Sequence, residues 1–179
     1  VTWERELFEL FDDLEAQADA LHDAERSAEL ADRSRAAYAE VSLASRLAAA
    51  ADLVLRLDVE GVGTLSGRLA RTGDGWLLLE AAGSQWVVRT AAVLVVHGAP
   101  ARALPEVAWS PLARLGLTSA LRRLAEAAVP CVVHLVDGGR HEGVVRRVGA
   151  DFAELEVGGR ADVLLVAFSG LAAVQDREA

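Results

Sequence analysis

The 179-residue sequence predicts an α+β chain: a long acidic N-terminal α-helix, then two tandem five-stranded antiparallel β-barrels, each preceded by a short helix. Three observations predict this. Residues 2–48 contain no Gly or Pro and are rich in Ala, Leu, Glu and Arg, the strong helix formers. After residue 50, short Val/Leu runs alternate with Gly-containing turns, as in a small barrel. The strand-rich region also repeats itself. Gly67, Gly73, Trp76, Leu79 and Glu80 stand at one common offset from Gly143, Gly149, Phe152, Leu155 and Glu156. The boundaries follow as 1–48 for the helical segment, 49–98 for the first barrel, 99–128 for a Pro-containing linker with a short helix, and 129–176 for the second barrel.

In the helical segment, Thr2 followed by Glu4 and Glu6 suits a helix start, where acids favour the dipole. Trp3, Leu7, Leu10, Leu14 and Leu21 recur at three-four spacing, and the line continues through Ala24, Ala28, Ala31 and Tyr38. Gln17 and Arg35 interrupt it. Two arrangements fit: an oligomerising coiled coil with these five large residues at its seam, or a helix lying on the chain's own body. In the barrels, Leu53–Leu57, Thr64–Arg71, Trp76–Glu80, Gln85–Arg89 and Ala92–Val96 read as one set of strands. Cys131–Val136, Arg140–Arg147, Phe152–Val157, Val163–Val166 and Leu171–Val174 read as the second. Asp137-Gly138 is a two-residue hairpin signal. Gly67 and Gly143 fall inside strands, where a sharp bend is expected. Ser110-Pro111 opens a short helix in the linker, and residues 118–126 read as another leading into the second barrel.

Composition limits the function. Apolar residues make up 53% and aromatic residues 5%, so the chain has an aliphatic core. The single cysteine excludes an internal disulfide framework and a CxxC metal site. Net charge is −9, concentrated in residues 1–50, whereas residues 51–179 are nearly neutral. Such a body does not attract nucleic acid at long range, and no DNA binding is expected. Lys, Asn, Ile and Met are absent, and all have A/T-rich codons. The arginine content therefore reflects coding bias as much as phosphate chemistry. No apolar run reaches a membrane span and no charged-then-apolar leader is visible, so a cytoplasmic protein without membrane contact is expected.

A short helix, then Val129-Pro130, then an apolar strand ending in Asp137-Gly138, then a strand with the internal Gly143, resembles the Sm/LSm family, and most closely its Hfq-like branch. The resemblance covers residues 118–175 and, more loosely, 42–98. It implies small SH3-like barrels, assembly into rings and binding of single-stranded RNA. It places Trp76 and Phe152 where the family has a base-stacking aromatic, and His134 where it has another on the opposite face. The matching stretch for the family's Tyr-Lys-His motif is Ala167-Phe168-Ser169, and the Arg-Gly pair near the end of the fold is absent.

The candidate RNA- or partner-binding residues are accordingly Trp76, His134, Arg140, Arg146, Arg147 and Phe152. Each also has a plainer role. Trp76 and Phe152 fit a core position opening a strand after a Gly turn. The arginines around the second barrel, which include Arg122, Arg123 and Arg160, fit a solvated face paired with Glu142, Asp151, Glu154 and Glu156. Trp86 reads as an interface or partly exposed residue, Trp109 as a pin for the linker, and Cys131 as core. His134 and His141 lack a third ligand, so no metal or other cofactor is expected. No nucleophile triad, P-loop or dinucleotide motif occurs, and no enzymatic activity is expected. The reading favoured is a non-enzymatic, self-associating assembly module built on tandem barrels, with an unnamed protein partner. An Hfq-like single-stranded RNA-binding regulator is the alternative. Arginines tied to acids favour the first, and a continuous basic patch with exposed Phe152 or His134 favours the second.

Overall fold

The computed structural model describes residues 2–158 and 162–177; the side chains of residues 2, 4–13, 16, 18 and 24 lie outside the description. The contact pattern divides the chain into two units between Val41 and Ser42. The first contains the helix α1, Thr2–Ala39. Its surface is laced with short-range ion pairs, Arg26–Asp23, Arg33–Glu29 and Arg35–Asp32. Exposed pairs of this kind stabilise a helix by only a few tenths of a kcal/mol each.

The coiled coil is corrected here to a single exposed helix. Trp3, Leu14 and Leu21 are exposed, while the side chains of Leu7 and Leu10 lie outside the described residues. Beyond Leu21 the expected seam consists of Ala, Arg35 and Tyr38. The exposed Leu30 falls off that line. A coiled coil needs an unbroken apolar stripe, and α1 does not carry one.

The second unit opens with α2, Leu43–Ala48, capped by the Ser42 hydroxyl, which accepts from Ser45 N. Five strands follow: β1 Val54–Val59, β2 Gly63–Gly73, β3 Trp76–Ala81, β4 Ser84–Arg89 and β5 Val93–His97. Alternation selects the inward side chains, for example Leu55, Leu57 and Val59 on β1 and Leu77, Leu79 and Ala81 on β3. The β3–β4 turn, Ala82-Gly83, has positive φ at both residues, which suits a tight hairpin. The linker makes two 3-10 turns, Glu106–Ala108 and Pro111–Arg114; the second stands where a short helix was expected and is capped by Ser110. Helix α3, Leu117–Ala127, ends at Ala128 in a left-handed conformation. Five more strands complete the unit: β6 Pro130–Leu135, β7 Arg140–Val148, β8 Phe152–Val157, β9 Asp162–Ala167 and β10 Leu171–Asp176.

These ten strands form one antiparallel sheet in the order β5-β1-β2-β3-β4-β10-β6-β7-β8-β9. The expectation of two separate five-stranded barrels is therefore corrected. The sheet is continuous and it is not closed. The reason lies at β4. Within each repeat the fifth strand crosses back to the first, as β5 does to β1 and β10 to β6. Closing the first repeat would require β5 to pair with β4 as well. Instead β10 takes the outer edge of β4, with Ala173 opposite Val88, Val174 opposite Val87 and Gln175 opposite Trp86.

The repeat holds at the level of register. Bulges fall between Leu69 and Arg71 in one repeat and between Val145 and Arg147 in the other. Val59↔Val93 and Asp58↔Val95 in the first repeat match Leu135↔Leu171 and His134↔Ala173 in the second. Two cores result, and they interlock. The core of the first repeat includes Leu47, Leu57, Leu77 and Leu79 together with Ala172 and Ala173 from β10. The core of the second includes Leu121, Val133 and Leu155 together with Val87 from β4.

Candidate interaction surface

The arginines of the second repeat lie along β7, opposite β8. Arg146 Nε donates to Glu156 Oε2 at 2.6 Å. Arg147 grips both oxygens of Glu154, at 2.7 Å and 2.9 Å. The first repeat does the same: Arg68 bridges Asp52 and Glu80, each at 2.7 Å. Glu80 and Glu156 are repeat-equivalent, so one carboxylate position takes an arginine in both halves. Each arginine's hydrogen-bonded glutamate raises its guanidinium pKa, Glu80 for Arg68, Glu156 for Arg146 and Glu154 for Arg147. Arg146 in turn holds the Glu156 carboxyl below the usual range, first through the hydrogen bond and then through its charge. These pairs are solvent-exposed, so they contribute little stability. Their effect on function is different: a guanidinium bound bidentate to a carboxylate offers fewer donors to a phosphate.

Arg122 and Arg123 sit on the exposed side of α3, with Arg123 3.9 Å from Glu126. Arg140 lies opposite His134 in the β6–β7 register. Arg177, beyond β10, pairs with Glu142 at 2.6 Å. Arg160 lies outside the described residues. The sequence-identified arginines are thus spread over β7 and α3, with Arg146 and Arg147 adjacent on the strand and Arg122 and Arg123 adjacent on the helix.

The aromatic candidates are held by the chain itself. Trp76 is half-buried; its indole N–H donates to Leu115 O at 2.7 Å, fastening the linker to the first repeat. Its ring lies over Gly73, where a Cβ would stand 2.1 Å from Nε1. Phe152, also half-buried, lies over Gly149 in the same way, with a Cβ there 2.5 Å from its ring. The Gly-aromatic pair repeated in the sequence is therefore a packing device in both halves. Trp109 donates to Leu104 O at 3.0 Å, and Leu104 N bonds Ser45 O at 2.9 Å, so the linker is tied down beside α2.

His134 has 3% exposure. It lies in the junction between the repeats. Its Nε2 is 3.3 Å from Gln175 Oε1, and its ring stands 5.0 Å from that of Trp86, tilted by 39°. Burial pushes its pKa below the ordinary value; Arg140 acts in the same direction and the Gln175 hydrogen bond against it. Cys131 is buried too, and burial pushes its thiol up.

The junction residues beyond Trp86 and His134 escape sequence reasoning. Arg89 reaches across β4–β10 to Leu171 O at 2.7 Å and Ser169 O at 3.0 Å. Gln175 Nε2 donates to Ser84 Oγ at 3.3 Å, and Gln85 N to Asp176 Oδ1 at 2.6 Å. A faint signal exists. Ser84, Gln85 and Arg89 are polar, whereas their repeat partners Asp162, Val163 and Ala167 retain one polar residue. Among the described residues no group of His, Cys, Asp and Glu is arranged to hold a metal. Among the described residues no helix is long and apolar enough to cross a membrane.

Neither a protein family model nor a curated protein matches this chain. Nothing in these comparisons supports the Sm/LSm resemblance.

Proposed function

We propose that this chain is a non-enzymatic protein-interaction module whose working surface is its β-sheet. The observation that carries this reading is the pairing of Arg146 with Glu156 and of Arg147 with Glu154. These adjacent arginines on one strand are the natural start of a basic patch, and both face carboxylates instead. Half-buried Trp76 and Phe152 and buried His134 support the same reading, because stacking on a base needs an open ring face. The net charge of −9 opposes long-range attraction of a polyanion.

Fluorescence anisotropy of labelled A-rich and U-rich single-stranded RNA, titrated with salt, tests it. The expected result is no binding even at low salt. Sub-micromolar binding that weakens steeply with salt is the signature of phosphate contacts and would overturn the reading.

A further inference from the structure

His134 is a buried imidazole whose surroundings suit only its neutral form. It stands on β6, opposite Ala173 of β10 and Arg140 of β7. Gln175 Nε2 donates to Ser84 Oγ, which turns Gln175 Oε1 toward the imidazole. The proton of the neutral ring therefore sits on Nε2, which donates to that oxygen. Nδ1 is buried and has no hydrogen-bond partner among the described residues. In the neutral ring this costs one unused lone pair. In the protonated ring Nδ1 carries a second N–H, a buried cationic donor with no acceptor.

The neighbouring elements offer the charge no relief. From β7, Arg140 opposes a second positive charge. From β10 comes the uncharged Gln175, and the Asp176 carboxylate next to it accepts from Gln85 N at 2.6 Å. Asp137, in the turn after β6, accepts from Gly139 N at 2.8 Å. From β4 comes Trp86, whose π-face attracts a cation but does not replace the lost water. By contrast, exposed His97 has the Asp58 carboxylate at 3.9 Å.

The position of the ring decides what its protonation does. Strand β10 pairs with β6 at five positions, from Leu171 to Asp176, but with β4 at only three, from Ala173 to Gln175. The β4 side is the shorter seam, and its last pair is Gln175↔Trp86. These are the two side chains that enclose His134. Opening that end gives Nδ1–H access to water without unpairing β6 from β10.

We infer that His134 is a pH-sensitive latch on the β4–β10 junction: neutral, it seals the Trp86–Gln175 end of the seam, and protonated, it drives that end open. The next pair inward is Val87↔Val174, both buried, so acid converts a sealed seam into an apolar surface. The sign follows from burial, which lowers the pKa of the closed state, with Arg140 acting alongside and the Gln175 bond against. The open state takes up the proton first. The closed seam is therefore at full stability above about pH 6.5, the ordinary histidine value, and loses stability as pH falls below it.

Amide hydrogen exchange of the full chain at pH 7.5 and pH 5.5, corrected for the intrinsic rates, tests this. The range lies above the ordinary carboxylate pKa values. Protection at the Trp86–Gln175 end of β4 and β10 is expected to fall several-fold at pH 5.5, with about tenfold the ceiling for one proton over one pH unit. Protection in β2 and β3 is expected to hold. His134→Gln keeps an amide donor and cannot titrate here, so its seam should be equally protected at both values. Arg140→Gln leaves the imidazole in place and removes the facing charge, so its acid loss should shrink. An NMR titration of the His134 ring in the unaltered protein needs no variant, and its midpoint is expected below that of an exposed histidine. An unchanged seam at pH 5.5, an equal loss in His134→Gln, an equal loss in β2 and β3, or a His134 midpoint at the ordinary value would each overturn the inference. The latch does not depend on what the sheet binds, so it and the RNA titration fail separately.

Discussion

Gly143→Ala is expected to destabilise the protein by about 3 kcal/mol, the upper range for forcing extra volume into a well-packed site. A Cβ at Gly143 would stand 2.2 Å from Glu156 O and 3.0 Å from both the Glu156 carbonyl carbon and Leu155 Cγ. The nearest obstacle is the backbone of β8, which pairs with β7 from Val144↔Glu156 onward. No rotamer change removes a carbonyl, so the strands themselves must separate. Gly67 meets the same obstacle in the first repeat, with Glu80 O at 2.1 Å, and Gly67→Ala should behave alike. Gly170→Ala is the control: its Cβ would make ordinary contact at 3.6 Å, and its φ is not in the left-handed region. Urea unfolding reads the difference. The midpoints of the Gly143 and Gly67 variants should fall with little change in slope, and that of Gly170→Ala should stay near the parent's. A parent-like midpoint for Gly143→Ala would mean that β7 and β8 do not approach as described.

The second large effect is expected at the junction. Val87→Asp should cost about 3–5 kcal/mol, the range for an uncompensated buried charge. Val87 lies on a first-repeat strand but packs in the core of the second repeat. A carboxylate there has neither water nor an arranged partner. The repeat supplies its own comparison, because Leu165→Asp makes a similar change at the equivalent position on a free edge. That variant should stay within about 0.5 kcal/mol of the parent. Equal costs at the two positions would mean that β4 is no more covered than β9.

The two positions also show what the sequence conveys and what it does not. Strand existence and repeat register were legible, because each depends on local alternation and on marker residues such as Gly67, Trp76 and Glu80 recurring at one offset. Gly143 was marked for the same reason, and what the structure gives it is a close approach to the Glu156 carbonyl. Strand partnership was not legible. Ala172, Ala173, Val87 and Val88 read as ordinary inward residues of their own repeats. Nothing in their pattern says that Ala173 lies opposite Val88 across the repeat boundary. Five strands per repeat therefore suggested a closed barrel, although β10 occupies the place that closure would need.

The site residues divide in the same way. The pairing of Arg146 and Arg147 with acids was foreseeable in kind, since Glu154 and Glu156 stand on the next strand. The fate of His134 depended on a strand 41 residues away that brings Gln175 beside it. Trp86, read from the sequence as an interface or partly exposed residue, is buried beside His134 between the two halves of a single chain. Arg89 was overlooked because its acceptors, Leu171 O and Ser169 O, are backbone atoms and leave no mark in the sequence.

The account rests on the strand junction between β4 and β10 that joins the two repeats. Amide hydrogen exchange tests this most directly. It resolves individual strands, and protection follows local opening. The account predicts that β4 and β10 are strongly protected, whereas the edge strands β5 and β9 exchange more quickly. Exchange in β4 and β10 as fast as in β5 and β9 would contradict it.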